Sequence, residues 1–237
     1  MHMLKSALAC LLMMAAATVW AGSIEVTPVR INLAGQTRTA ALTVRNTGTA
    51  ESVLQVTLNS WNRNGPEYVY AQSQELVITP VTFRLAPGAE QIVRVGLRGA
   101  APAATETAYR LLVEEVPPPP VPGFTGAILL VRHDLPVFVS PTAAASATLH
   151  VDMHCAAPVQ LHVANTGNVH SQLRNVALTD TSGTQLASWD AFDYLLPEAE
   201  KAWDLAQFAP AAVGKPFRVT VLTDQSSFAA DVTQPCP

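Results

Sequence analysis

The chain has 237 residues, of which 14 are Lys or Arg and 18 are Asp or Glu, so its formal net charge is -4 at pH 7. This balance argues against a nucleic-acid partner, because binding to phosphates needs clustered basic side chains. The apolar share of 49% excludes an intrinsically disordered chain. At about 100 to 200 residues per domain, the length suits one large domain or two small ones.

The amino-terminal segment, residues 1–21, has the pattern of a secretory signal peptide. Lys5 supplies a positive charge, an apolar run follows at 8–19, and Ala21 is the small residue expected before a cleavage site. The run is shorter than the roughly 20 apolar residues that a membrane-spanning helix needs. We therefore predict that the chain is exported and that it is not inserted in a membrane after this segment is removed.

The cysteines predict one disulfide bond. Cys10 lies inside the predicted signal peptide, which leaves Cys155 and Cys236 in the exported chain. In an oxidising compartment we expect these two to pair. The bond would close a loop of about 80 residues and stabilise the fold by roughly 4 kcal/mol in the chain-entropy description. Two free buried thiols are the alternative.

Residues 24–139 have the pattern of a series of short strands. Apolar residues alternate in segments such as TAALTVRN and QIVRVGLR, and turn-forming segments such as NTGT and APGA lie between them. Seven strand runs are predicted, at 24–33, 39–46, 52–61, 75–79, 90–98, 108–116 and 124–139. Seven short strands at this spacing indicate an immunoglobulin-like sandwich.

The second half of the chain repeats the pattern of the first. The string LTVRNTG at 42–48 recurs as LHVANTG at 161–167, which indicates two similar β domains in tandem. Further strand-like runs begin at Thr148, Leu173, Trp203 and Phe217.

A domain boundary is predicted close to Pro141, where the small-residue stretch TAAASA follows. The fold class is therefore all-β, with an amino-terminal domain at 22–141 and a carboxy-terminal domain at 142–237.

No motif for catalysis occurs in the chain. GxSxG, HExxH, Walker and GxGxxG patterns are all missing, so we predict no enzyme and no cofactor. The remaining candidate for a metal site is the set of His150, His154, His162 and His170, of which the first two share one face of a strand. Three or four ligands would have to converge, and no CxxC spacing supports them. We therefore predict no metal site and interpret these residues as histidines on strand faces.

The stretch VPPPPVPGFTGAILLVRHDLPVFVSP at 116–141 is the most informative part of the sequence. Its four consecutive prolines cannot donate to a β ladder, so they predict a stiff extended loop. The run that follows is apolar on both of its alternating faces, at Ala127, Ile128, Leu129, Leu130 and Val131. Either this strand is central and buried on both sides, or it is an edge strand that a partner covers, because an uncovered one would aggregate.

Five segments occur in an order and spacing that are more specific than any of them alone. They are VTPVRINLAGQ at 26–36, LTVRNTG at 42–48, RLAPGAEQIVRV at 84–95, YRLLVEEVP at 109–117 and LPVFVSP at 135–141. Together they resemble the periplasmic pilus-assembly chaperones of the chaperone-usher pathway, the PapD-like superfamily. The segments YRLLVEE and RHDLPVFV are most similar to the archaic, spore-coat-U-associated branch. The resemblance implies two immunoglobulin-like β-sandwich domains arranged as a boomerang, in the periplasm.

The same resemblance implies a function in binding, without covalent chemistry. A chaperone of this family stabilises pilin or spore-coat-U-like subunits by donor-strand complementation, in which its own G strand completes the subunit's sheet, and delivers them to an outer-membrane usher. The family's register would direct Ala127, Leu129 and Val131 into the subunit groove. A single bulge would direct Ile128 and Leu130 there instead.

Chaperones of this family also anchor the subunit's carboxy-terminal carboxylate on cations in the cleft between their domains. Arg30 falls at the family's first-strand arginine, and a guanidinium can hold a carboxylate by two hydrogen bonds. In the better-known branch a lysine near the end of the G strand completes the anchor, but the matching residue here is Pro136. The resemblance therefore implies an anchor at Arg30, with Arg110 or Arg132 in place of the lysine. The alternative for Arg30 is an ordinary exposed strand arginine.

Two other functions compete with the chaperone interpretation. A secreted two-domain structural or adhesive surface subunit should carry a free extension of alternating apolar residues, whereas the predicted mature chain enters a strand almost at once, at Ile24. The third possibility is an exported metal-binding protein that uses the histidine set, which retention of metal in stoichiometric amounts would test.

Overall fold

The computed structural model describes residues 24–64, 67–120, 128–155 and 157–233. The predicted signal peptide, Ala127 and Cys236 lie outside the described residues. Cys155 is disulfide-bonded, and Cys236 stays its expected partner.

Two sheets form the first half of the described chain. Strands β1 to β10 are Ile24–Thr27, Ile31–Leu33, Thr39–Asn46, Ser52–Asn64, Glu67–Gln72, Leu76–Thr79, Thr82–Leu85, Glu90–Leu97, Thr107–Glu115 and Arg132–Val139. One sheet has the order β1-β3-β8-β6, and the other has the order β2-β10-β9-β4-β5, with β7 also paired to β4. The pairing of β2 with β10 is parallel, whereas β1 pairs with β3 antiparallel. The first predicted run is therefore two strands, and the chain changes sheets between them.

The second half again contains two sheets. Strands β11 to β18 are Leu149–His154, Gln160–Asn165, Ser171–Thr179, Gln185–Asp190, Tyr194–Leu195, Glu200–Asp204, Phe217–Thr223 and Ser227–Val232. One sheet has the order β11-β12-β16, and the other has the order β14-β13-β17-β18, with β15 paired to β13. The all-β fold class is confirmed.

Two more predicted strand runs differ from the structure. The run from Trp203 leaves the sheet after Asp204 and continues as a single helical turn, α1 (Leu205–Phe208), followed by a 3-10 turn at Pro210–Ala212. The Asp204 side chain caps α1, because it accepts hydrogen bonds from the backbone N–H groups of the next residues. The run predicted at 124–139 is described only from Ile128 onwards, and in this part the strand begins at Arg132. Strands β5, β7, β14, β15 and β18 were not predicted.

Each half has its own apolar core, built from the alternating buried residues of its two sheets. The first core includes Ile31, Leu42 and Leu111, and its members all come from the first half of the chain. The second core is centred on the second half, but it also includes Trp61 and Phe138 from the first. The two sandwiches are therefore joined by a continuous apolar contact.

The repeated NTG string has the same structural role in both halves. Asn46 and Asn165 are both fully buried, and each accepts a hydrogen bond on its amide oxygen from the backbone N–H of the glycine two residues later. Each side-chain amide also donates to two backbone carbonyls, one of which lies four residues later in the chain. This common geometry agrees with the prediction of two similar β units in tandem.

Candidate functional site

Strand β10 has an open edge along its first half. The parallel strand β2 covers only its end, from Val137 to Val139. The carbonyl of Val131 accepts a hydrogen bond from the backbone N–H of Glu115 at 3.0 Å, so the alternation of the ladder turns the backbone groups of Arg132 and Asp134 away from β9. On the side of β10 away from β9, no strand in the described part of the chain pairs with these residues. Such an edge can accept another extended chain.

The apolar segment before β10 is exposed to solvent. Ile128 is 55% exposed, Leu129 78% and Leu130 39%. With the proline-rich segment and the loop before β4, they line a cavity of about 670 Å³. The structure thus favours the edge-strand interpretation over a strand that is buried on both faces. Because three successive side chains are exposed together, the structure does not choose between the two predicted registers.

Two arginines flank the position where the family lysine was expected. Arg110 of β9 is directly opposite Pro136 of β10. On the other side of β10, Val137 is opposite Ile31, which brings Arg30 beside Pro136. The residues that flank Arg110 and Pro136 on their strands, and the residue after Arg30, all belong to the first core. Side chains alternate along a strand, so Arg30, Pro136 and Arg110 share the opposite, outer face of the sheet.

Arg110 is fixed by three contacts on this outer face. Its Nε donates to Oδ1 of Asp134 at 2.6 Å, its Nη2 donates to the carbonyl oxygen of Asp134 at 3.3 Å, and its Cζ lies 4.8 Å from the centre of the Trp61 ring. The guanidinium carries further N–H groups that can donate to a second acceptor. Arg132 is on the same face but is paired, at 3.6 Å, with Glu114 on an exposed part of the sheet. It lies four residues before Pro136 and is not brought together with the other two arginines.

Arg30 reaches across to the second half of the chain. Its Nη1 donates to Oδ2 of Asp224 at 2.6 Å, and the Asp224 side chain is only 4% exposed. Burial alone would lower the pKa of Arg30, but the hydrogen bond and charge of Asp224 outweigh it, so the pKa of Arg30 is raised above its usual value. Arg30 is therefore more than an exposed strand arginine, because it links the two sandwiches.

A second buried polar contact crosses between the sandwiches nearby. His170 Nδ1 and a carboxylate oxygen of Glu106 are 2.8 Å apart, and the His170 ring stacks on Phe138 with 3.5 Å between centroids. Between the two halves is a cavity of about 370 Å³, which is lined by Glu106 and His170 together with Arg30 and Asp224.

The four histidines do not form one cluster. His170 belongs to the contact between the sandwiches, whereas the rings of His154 and His162 stack on each other at 3.6 Å on the outer face of the β11-β12-β16 sheet. His150 lies on the same strand face, at the far end. The described residues contain no group of three or more His, Cys, Asp or Glu side chains that could hold a metal ion.

Sequence reasoning missed the acidic partners of Arg30 and His170. Asp224 is separated from Arg30 by 194 positions, and Glu106 is separated from His170 by 64. Neither acidic residue lies in a motif that would connect it with its partner. A buried acid can be suspected from sequence only if its strand is already known to end at the contact between domains.

Comparison with known proteins gives a family match over the first half of the chain. Residues 23–145 match the family described as pili and flagellar-assembly chaperone, PapD N-terminal domain. No curated protein sequence matches the chain. The described part of the chain has no helix with the length and apolar character that crossing a bilayer would require.

Several solved structures have a similar fold. A chain of the CsuC-CsuE chaperone-tip adhesion subunit complex, from archaic Csu pili of Acinetobacter baumannii, has a TM-score of 0.67 at 18% identity, with 90% of this chain and 99% of that chain covered. The Salmonella enterica complex of SafA pilin with the SafB chaperone gives a TM-score of 0.61 at 18% identity, with 90% and 98% covered. The CupB2 chaperone of Pseudomonas aeruginosa gives 0.58 at 18% identity, with 87% and 98% covered.

Proposed function

The chain belongs to the pilus and flagellar-assembly chaperone family, and from this premise we propose that it captures pilin-like subunits in the periplasm by donor-strand complementation. The subunit lacks its own last strand, and the chaperone supplies β10 and the segment before it. The complex is then delivered to an outer-membrane usher for assembly. The reaction is binding alone, in which backbone hydrogen bonds supply affinity and alternate side chains fill pockets in the partner.

The single observation that carries this proposal is the open edge of β10, which continues into three exposed apolar side chains at 128–130. An isolated edge of this kind favours pairing with another chain. The apolar side chains would be removed from water by the groove of a subunit, with a gain of roughly 25 cal/mol for each Å² that is buried.

The row of Arg30, Pro136 and Arg110 supports a carboxylate anchor at the end of this edge. Both arginines lie beside the position of the family lysine, so a guanidinium from a neighbouring strand can replace the missing ammonium group. A planar guanidinium suits a carboxylate better than an ammonium does, because it can form two parallel hydrogen bonds. Arg132 is left out of the proposed anchor because it lies at the start of β10, four residues before Pro136.

Co-expression with candidate pilin-like and spore-coat-U-like subunits in a periplasm tests the proposal. We expect a 1:1 complex on pull-down of the wild-type chain, identified by mass spectrometry, and its loss in Leu129→Glu, which puts a charge in an apolar groove. The matched control is Leu222→Glu, which changes an exposed leucine on β17 and should leave capture intact. If the wild-type chain is recovered alone and rescues no subunit from degradation, the proposed function is wrong.

We also propose that the boundary between the two domains lies between residues 141 and 142, and that Cys155 forms its disulfide bond with Cys236. Limited proteolysis should cut first near this boundary, because the stretch of small residues there is exposed. Peptide mapping without a reducing agent should recover the two cysteines in one linked product.

A further inference from the structure

Asp224 is a buried carboxylate that is held firmly in place. Its Oδ1 accepts a hydrogen bond from the backbone N–H of Gln172 at 3.3 Å, and its own N–H donates to the Gln172 carbonyl at 3.0 Å. Oδ2 accepts from Arg30 at 2.6 Å. A carboxylate with so little exposure needs a charged partner, and the ion pair with Arg30 supplies it.

Arg30 is the accessible member of this pair. Its side chain is 34% exposed, compared with 4% for Asp224, and it lines the cavity between the sandwiches beside Asn32 and Ser140. A carboxylate that enters this cavity can therefore reach the guanidinium. It would then share one positive charge with Asp224, and two carboxylates near one cation repel each other.

These contacts carry an inference that rests on the proposed function. We propose that Asp224 is a built-in substitute for the subunit's terminal carboxylate: it holds Arg30 in the free chaperone and competes with the carboxylate that arrives during capture. Asp224 is thus a positioning residue. It keeps the anchoring guanidinium in a defined place before a subunit arrives, and it lowers the affinity for the subunit in return.

The competition has a consequence that a purely structural role would not have. Removal of the Asp224 charge should destabilise the free chain, because Arg30 loses its partner, but it should strengthen subunit binding. A substitution that only loosens the contact between the sandwiches would not make the chain bind the subunit's terminal carboxylate more tightly.

Glu106→Gln is the matched control for this distinction. Glu106 is also a buried carboxylate, with a side chain that is 2% exposed, and it also pairs across the two sandwiches, with His170. It accepts hydrogen bonds from the His170 backbone N–H and ring, and none of its hydrogen bonds involves Arg30. Glu106→Gln therefore disturbs the contact between the two sandwiches and leaves the Arg30–Asp224 pair in place.

The experiment measures the affinity of the purified full-length chain for the subunit that co-purifies with it. The subunit is used with its own carboxy terminus and with two added residues that move the carboxylate away. We expect Asp224→Asn to bind the unmodified subunit about tenfold more tightly than wild type, since a hydrogen bond to a charged group is worth about that factor. Glu106→Gln should bind as wild type does, and the gain of Asp224→Asn should vanish with the extended subunit.

A double variant keeps the test informative if one of the single variants does not fold. Arg30→Gln with Asp224→Asn removes both charges together, so it leaves no buried charge unpaired, and it should fold but bind the unmodified subunit more weakly than the wild-type chain does. The inference is overturned if Asp224→Asn binds the unmodified subunit no more tightly than wild type, or if Glu106→Gln gives the same gain. It is also overturned if the double variant binds as wild type does, because Arg30 is then not the anchor. If the wild-type chain binds no subunit, the proposed function fails, and the inference fails with it.

Discussion

Arg110 is the residue whose role depends most on where the strands place it. Because it lies directly opposite Pro136, we predict that Arg110→Gln weakens subunit capture at least about tenfold, which is the loss expected for a hydrogen bond to a charged group. Folding should be retained, since Asp134 stays partly solvated after the change. Affinity measured with the co-purified subunit checks this prediction.

Arg132→Gln is the matched control for the Arg110 variant. It removes the same charge from the same face, but its ion pair with Glu114 is exposed, and such pairs contribute little to stability. Capture by this variant should equal that of the wild-type chain. A loss of affinity in Arg132→Gln as large as that in Arg110→Gln would show that the anchor extends along β10, contrary to the assignment.

Tyr109 is a buried residue whose ionisation is changed by the fold. Burial, and then the hydrogen bond that its hydroxyl donates to Oε2 of Glu75, raise the pKa of Tyr109 to about 12. The proton is held more tightly in the folded than in the unfolded state, so the stabilising contribution is complete below about pH 10 and is lost as the pH rises towards 12.

Absorbance of the phenolate group measures this shift. We expect the alkaline titration of the wild-type chain to contain a late phase near pH 12 that is missing in Tyr109→Phe. The same titration in concentrated urea should have no late phase, because the unfolded phenol returns to its ordinary pKa of about 10. A wild-type titration without a late phase would contradict the prediction.

At the scale of elements, the open edge of β10 predicts opposite results for two neighbouring proline substitutions. The N–H of Arg132 points away from β9, so Arg132→Pro should remove a hydrogen bond to the incoming subunit and weaken capture, at little cost to stability. The N–H of His133 points towards β9, so His133→Pro should lower the free energy of unfolding by about 2 kcal/mol. That variant also loses a contact, because His133 Nε2 lies 2.9 Å from the carbonyl oxygen of Ile24.

Urea unfolding and subunit pull-down together separate these effects. Arg132→Gln serves again as the control, since it removes the same side chain and keeps the N–H. If Arg132→Pro captures subunits as well as Arg132→Gln does, the subunit does not pair with this edge, and donor-strand addition at β10 would have to be abandoned.

The elements show how much of the fold the sequence could predict. Strands such as β3 and β8 were predicted well, because alternation of apolar residues reports burial of one face locally. The run at 24–33 was predicted as one strand, because its change of sheet depends on pairing with distant strands β3 and β10. The end of the run from Trp203 was missed because Asp204 caps a single helical turn, which is too short to have a helical period.

For the whole molecule, sequence predicted the components of the candidate site but not their contacts. Arg30 and Arg110 were singled out through the family resemblance, and their alignment beside Pro136 follows once the strand register is known. The pairing of Arg30 with Asp224 joins residues 194 positions apart, and no local pattern encodes such a contact. Predicting it requires the relative placement of the two sandwiches, which their apolar contact determines.

Phe138 is central to that apolar contact. It lies on the same strand as the open edge, is 1% exposed, stacks on His170 and lies 6.0 Å from the Trp61 ring. Because the second core includes it together with residues of the second half, we expect the two sandwiches of the wild-type chain to unfold in one cooperative transition. Phe138→Ala should lower the free energy of unfolding by about 3 to 5 kcal/mol and separate the transition into two.

Differential scanning calorimetry checks this prediction through the ratio of van't Hoff to calorimetric enthalpy. The control is Leu42→Ala, which opens a cavity in the first core and should lower the midpoint while the transition stays single.

Subunit capture gives a second readout: β10 carries the open edge at one end and Phe138 at the other, and the anchor at Arg30 needs both sandwiches in place. Phe138→Ala should therefore lose affinity mainly for subunits with a free terminal carboxylate. A single transition in Phe138→Ala, with carboxylate dependence unchanged, would mean that the polar pairs alone hold the sandwiches together.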